Sequence, residues 1–214
     1  DLAILLEEMG RACLPGPFFA SAVLGSLAIM EDGSKQQKLE LLPELIEGNL
    51  ILTWAMMEPT GRYSADSIQT KCIPNNKDGF IINGTKLFVP DAHISDQIIC
   101  VARTTNAVCP EDGISLFLVD SKKPGIKCTA LKTIAGDKQY ELEFDNVEIH
   151  QDDVLGEVNK GWHYVQNVME KATVLKSAEM LGGARQVLEI SVNYARDRVQ
   201  FNRPIGSFQV IQHF

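Results

Sequence analysis

The chain has 214 residues, 45% of them apolar and 22% charged, with a formal net charge of -8. That acidity, with no basic stripe, excludes a nucleic-acid partner. No apolar run reaches the roughly 20 residues that a membrane span needs, and no signal-peptide pattern opens the sequence. Five cysteines (13, 72, 100, 109 and 128) lack CxxC spacing, and four histidines (93, 150, 163 and 213) form no ligand-spaced cluster with them. This argues against a metal site or a disulfide framework and for a reducing, cytoplasmic compartment in which the cysteines are small buried hydrophobes.

Residues 1–49 carry helical apolar spacing. "DLAILLEEMGRACL" places apolar side chains at 2, 4, 5, 9 and 13 before "LPGPF" breaks it. "FFASAVLGSLAIMEDGS" and "KQQKLELLPELIEG" follow, with Gly33 and Gly48 expected to stop their helices.

Residues 50–157 change period. "ILTWAMM", "SIQTKCI", "GFIING", "DQIICVART", "GISLFLVD", "IKCTAL" and "YELEFDNVEI" are short runs rich in β-branched or aromatic residues. Turn residues separate them at 75–79 (NNKDG), 110–113, 122–125 and 135–138. "YELEF" alternates as in a sheet with one wet face. Seven such strands without helical crossovers predict an antiparallel β-barrel or sandwich.

Residues 158–214 return to helix. From Trp162 to Val199 no proline interrupts, which predicts a helix roughly 57 Å long that belongs to a bundle. Gly182 and Gly183 cost about 1 kcal/mol each inside it, a cost that close approach of another helix would explain. "NRPIG" (202–206) reads as a turn, and Ser207 as the N-cap of a further helix running to Phe214. The whole is an α+β chain with a β-domain flanked by helical-bundle segments. Its ending two turns into a helix reads as a piece of a larger protein.

No GxGxxG, P-loop, GxSxG or HExxH motif occurs, and Glu7-Glu8 and Glu111-Asp112 read as solvated charge. Five longer stretches say more: "LPELIEGNLILTWAMMEPTG", "DGFIINGTKLFVPDAHISDQIICVART", "GISLFLVDSKKPGI", "LEFDNVEIHQDDVLGEVNKGW" and "AEMLGGARQVLEISVNYARDRVQFNRPIGSFQVIQH". In order and spacing they resemble the acyl-CoA dehydrogenase family. The resemblance implies an N-terminal helical domain, a middle β-domain and a C-terminal four-helix domain, with the first and last incomplete here. It also implies FAD, an acyl-CoA substrate desaturated between its α and β carbons, an electron-transfer flavoprotein or similar acceptor, and assembly into homo- or hetero-oligomers.

Residue by residue, the resemblance places Arg198, Phe201 and Gln209 against the FAD of a neighbouring subunit. An arginine fork suits a pyrophosphate, although Arg198 also suits a plain helix-end cation. It places Trp54, Met56, Met57, Phe88 and Pro90 against the isoalloxazine, while Met56, Met57 and Phe88 equally suit plain β-domain core. Met57 stands where the family has threonine, Arg62-Tyr63-Ser64 where it has Gly-Ser-Asp, and Phe88-Val89-Pro90 where it has Trp-Ile-Thr/Ser. The expected hydroxyl donors are thus missing at 57 and 90. No catalytic base is assigned. One base position of the family falls on Ala172, and Glu170 and Glu179 lie off that spot on the helix. Two readings follow: a divergent FAD-dependent dehydrogenase, or a catalytically silent subunit whose Arg198 completes a partner's FAD site.

Overall fold

The computed structural model describes residues 1–75 and 78–213, so part of the expected 75–79 turn and Phe214 lie outside the described residues. In chain order the elements are α1 (Leu2–Arg11), a π-helical segment (Phe19–Gly25), α2 (Ser26–Asp32) and α3 (Lys35–Glu47). Strands β1 (Leu52–Ala55), β2 (Lys71–Pro74), β3 (Gly79–Pro90), β4 (Gln97–Arg103) and β5 (Ile114–Asp120) follow. Then come β6 (Ile126–Leu131), β7 (Gln139–His150), β8 (Val154–Leu155), α4 (Gly161–Asp197), β9 (Val199–Gln200), β10 (Arg203–Pro204) and α5 (Gln209–Gln212). They fall into two compact units: residues 16–170, and residues 1–15 with 171–214. This differs from the three sequence zones, because residues 16–49 pack with the strands.

In the larger unit, α3 opens with a capping box. Ser34 Oγ accepts from the Gln37 N–H at 3.1 Å, and Gln37 Oε1 accepts from the Ser34 N–H at 2.9 Å. The same Gln37 amide donates to the carbonyls of Asp152 and Val154, at 2.9 and 3.0 Å, and so ties the helix to β8. Gly48 ends α3 in the left-handed region (φ 77°), as expected, whereas Gly33 ends α2 in extended backbone.

The eight-stranded sheet runs β6-β7-β3-β2-β4-β5-β8, with β1 beside β4. It is mostly antiparallel but stays open rather than closing into a barrel, and it is mixed. β1 runs parallel to β4, Leu52 opposite Gln97 through Ala55 opposite Cys100. The chain between them passes through β2 and β3, long enough for the crossover that parallel pairing needs. The two-residue β8 carries too short a pattern to be read from sequence. One face holds a core of Phe80, Ile82, Ile98, Cys100, Phe117, Leu142, Phe144, Val147 and Ile149, and the Phe80 and Phe117 ring centroids lie 5.3 Å apart. The wet-face alternation of β7 slips from Leu142 and Phe144 to Val147 and Ile149, because a bulge opposite Ile82–Gly84 inserts a residue and Asn146 turns left-handed (φ 52°). Only Cys72 and Cys100 are buried; Cys13, Cys109 and Cys128 are exposed, against the expectation of five buried thiols.

In the smaller unit, α1 lies against the later part of α4. A Cβ at Gly182 would sit 1.8 Å from the Glu7 carbonyl oxygen, and one at Gly10 would sit 1.9 Å from that of Glu179. The two glycines let the backbones touch, which accounts for Gly182 inside a long helix. Gly183 meets only the Gly10 carbonyl oxygen, at 3.5 Å, so close approach does not explain it. Arg11 bonds Gln186 and Glu189 (2.9 and 2.8 Å), and Arg185 pairs with Glu7. The chain thus supplies α4 with one partner helix that its sequence zones did not suggest.

Candidate functional site

The β-unit candidates gather where β1 leaves the sheet beside the end of β3. β1 is buried along its length because Leu52 packs against Gly25 of the π-helical segment, where a side chain would not fit. Its N–H is held by Ser21 Oγ at 3.0 Å. Thr53 Oγ1 donates to the Pro90 carbonyl at 2.5 Å, joining the end of β3 to β1. Met56 is buried and Met57 half-buried. The Met57 carbonyl accepts from the Leu87 N–H at 2.8 Å.

Phe88 follows, at a register break between β3 and β7, with φ 52° and half of its surface exposed (50%). A bulky residue held left-handed inside a strand is a backbone outlier of the kind that gathers at ligand sites. The break turns the ring out of the core, so the plain-core reading fits Met56 but not Phe88. Pro90 is half-buried and, with Met57, supplies no hydroxyl.

Two side chains that sequence reasoning passed over hold this corner together. Lys86, fully buried, places Nζ 2.7 Å from Glu58 Oε1 and 3.2 Å from the Met56 carbonyl oxygen. Glu58 also accepts from the backbone N–H groups of Gln69 (2.7 Å) and Thr70 (3.0 Å). Strand alternation from Ile82 gave a signal for Lys86, since both occupy the inward face. Arg103 braces the next stretch, donating to the carbonyls of Ile68 (2.9 Å), Ala65 (2.6 Å) and Pro110 (3.1 Å).

The remaining candidates belong to the other unit. α4 ends at Asp197, and β9 and β10 form a hairpin whose turn residues Phe201 and Asn202 are both left-handed (φ 51° and 62°). Two positive φ values are what a tight hairpin turn demands, and asparagine tolerates one readily. Phe201 is 86% exposed, with its ring edge-on to Phe208 at 6.1 Å, and the Arg203 guanidinium lies 3.9 Å over the Phe208 ring. Arg198 is exposed just past the helix end, its N–H bonded to the Tyr194 carbonyl at 2.8 Å. Gln209 opens α5. The helix does not start at the expected Ser207 cap, because the Ser207 hydroxyl instead donates to the Pro204 carbonyl at 2.7 Å.

Ala172 is buried, Glu170 is exposed, and Glu179 pairs with Lys176 at 2.5 Å. Among the described residues no three His, Cys, Asp or Glu side chains could hold a metal ion, and no helix is long and apolar enough to cross a membrane.

Two family models match the chain: the acyl-CoA dehydrogenase middle domain over residues 53–147 and the acyl-CoA dehydrogenase C-terminal domain over 159–214. A 3-(aryl)acrylate reductase of Clostridium sporogenes is 34% identical over 97% of this chain and 56% of its own length. A mitochondrial isovaleryl-CoA dehydrogenase of Oryza sativa subsp. japonica is 32% identical over 98% of this chain and 52% of its own. The crystal structure of a glutaryl-CoA dehydrogenase from Mycobacterium smegmatis in complex with FADH2 superposes with a TM-score of 0.81 at 26% identity, over 91% of this chain and 49% of that one. The chain spans about half the length of the curated relatives it matches. On sequence and fold alike, it belongs to the acyl-CoA dehydrogenase family.

Proposed function

We propose that this chain is part of an FAD-dependent enzyme that interconverts an acyl-CoA thioester and its α,β-unsaturated counterpart, desaturation being the direction the family name indicates. The observation that carries this reading is Phe88. An exposed aromatic ring held in a costly backbone conformation, beside a backbone segment fixed from behind, suits the face of a flat heteroaromatic ring system. FAD supplies a two-electron acceptor to such a reaction. The chain's own residues offer it the backbone of Trp54 to Met57, the ring of Phe88 and the half-buried side chain of Met57. Arg198, Phe201 and Gln209 offer a cation, an aromatic ring and an amide to the cofactor of a neighbouring subunit, which implies a homo- or hetero-oligomer. An electron-transfer flavoprotein or similar acceptor would reoxidise the enzyme, in a reducing compartment such as the cytoplasm.

The residues present fit the flavin in part. Backbone groups and Phe88 fit, while Met57 and Pro90 remove two hydroxyl donors. This second fact, with Arg198 kept, favours the alternative of a silent subunit that completes a partner's site. The test is the visible absorption spectrum of the full-length parent, purified alone with FAD supplied. A bound-flavin spectrum is expected. A colourless protein that restores flavin binding when mixed with an unlike family subunit would establish the alternative instead.

A further inference from the structure

The buried Lys86–Glu58 pair calls for a reason beyond stability. A buried ion pair gains little over two well-packed apolar side chains, because desolvation offsets the Coulomb attraction. Its geometry is specific, however. Lys86 Nζ binds both Glu58 Oε1 (2.7 Å) and the Met56 carbonyl (3.2 Å), while Glu58 gathers the N–H groups of Gln69 and Thr70. Three separate stretches of chain meet at one charge pair: the exit of β1, residues 69–70, and β3.

The consequence is orientational. In a planar trans peptide the C=O and N–H point in opposite directions. With the Met56 carbonyl drawn to the buried ammonium, the Met57 N–H is turned the other way. The next peptide is fixed as well, because the Met57 carbonyl accepts from the Leu87 N–H at 2.8 Å. Phe88 stands next to Leu87 and two residues from Lys86. One buried cation therefore governs the direction of a backbone donor that lies close in the fold to Phe88, whose ring is turned outward by the register break with β7.

We propose that Lys86 and Glu58 are positioning residues of the flavin site: they aim the Met57 N–H at a carbonyl or ring-nitrogen acceptor on the isoalloxazine edge, beside the ring of Phe88. This rests on the flavin reading above. It also explains how the site tolerates Met57 and Pro90, since a backbone donor held from behind replaces hydroxyl donors that are missing. Neither residue touches the substrate.

The test uses the full-length parent. Either single change leaves the other charge buried and unpaired, so the informative variants are two double changes, Lys86→Met with Glu58→Gln and Lys86→Gln with Glu58→Gln. Three quantities are read for each: the unfolding midpoint without FAD, the FAD dissociation constant by fluorescence titration, and the visible spectrum of the bound flavin. At least one variant is expected to fold while binding FAD about tenfold more weakly, the value of one well-aimed hydrogen bond, with shifted flavin absorption bands. Folded variants with wild-type FAD affinity and an unshifted spectrum would overturn the proposal and leave the flavin reading standing. Affinity lost only in proportion to unfolding, in both variants, would reduce the pair to a structural staple and overturn it as well. A wild-type parent that binds no FAD would overturn the flavin reading itself, and this inference with it.

Discussion

The indole N–H of Trp54 is buried without a hydrogen-bond partner among the described residues, in a side chain only 5% exposed. A buried donor left unmade costs about 1–3 kcal/mol. Trp54→Phe keeps most of the ring and removes that donor. It is expected to lower stability by less than about 1 kcal/mol in urea titration, whereas Trp54→Ala should cost about 3–5 kcal/mol. If a ligand acceptor reaches the indole, the phenylalanine variant will lose more stability in the presence of FAD than in its absence. Phe88 and Lys86 show how unevenly the site was legible. The aromatic at 88 was readable from its segment, but its left-handed backbone was not, because nothing local to "KLFVP" marks a bulge that arises from pairing with β7. Lys86 was legible only through strand alternation. Its partner Glu58 was not, since 28 residues of chain separate the two.

Among elements, the crossing of α1 and α4 gives a paired prediction. Gly182→Ala places a methyl 1.8 Å from the Glu7 carbonyl, so the helices must separate. A net loss of about 1–3 kcal/mol is expected despite the better helix propensity of alanine. Gly183→Ala meets only the Gly10 carbonyl at 3.5 Å and is expected to be neutral or to stabilise by up to about 1 kcal/mol. Urea midpoints of the two variants check both. The turn between β6 and β7 gives a pH prediction. The Asp137 carboxyl is held below its usual range, first by a hydrogen bond from the Thr133 hydroxyl and then by one from the Gln139 amide. A depressed folded-state pKa adds stability that is present above the unfolded value, about 3.9, and is lost as pH falls through the folded one. Asp137→Asn should therefore flatten the acid limb of the stability–pH profile and leave the alkaline limb unchanged. Seven of the eight strands of the large sheet were legible because apolar runs and turn residues are local signals. The parallel placement of β1 was not, since register between distant segments depends on what packs over both.

For the molecule as a whole, the later part of α4 presents apolar side chains to solvent. Val174, Leu181, Leu188 and Val192 stay exposed, whereas Val165, Val168 and Ala172 near the start of the helix are buried. Such a surface favours association, and the family reading gives association a role, because Arg198, Phe201 and Gln209 are proposed to act on a neighbour. FAD affinity measured on the parent should then weaken on dilution below its assembly constant, and fluorescence titration at two protein concentrations checks this.

The hairpin that carries Phe201 adds a consequence of its own. Both turn residues already occupy the left-handed region, so the arm has little conformational freedom left to lose when it meets a neighbour. Rigidity of this kind favours long residence over fast capture. Disfavouring the turn with Asn202→Val, since a β-branched residue resists the left-handed conformation, should show mainly as faster release of the cofactor.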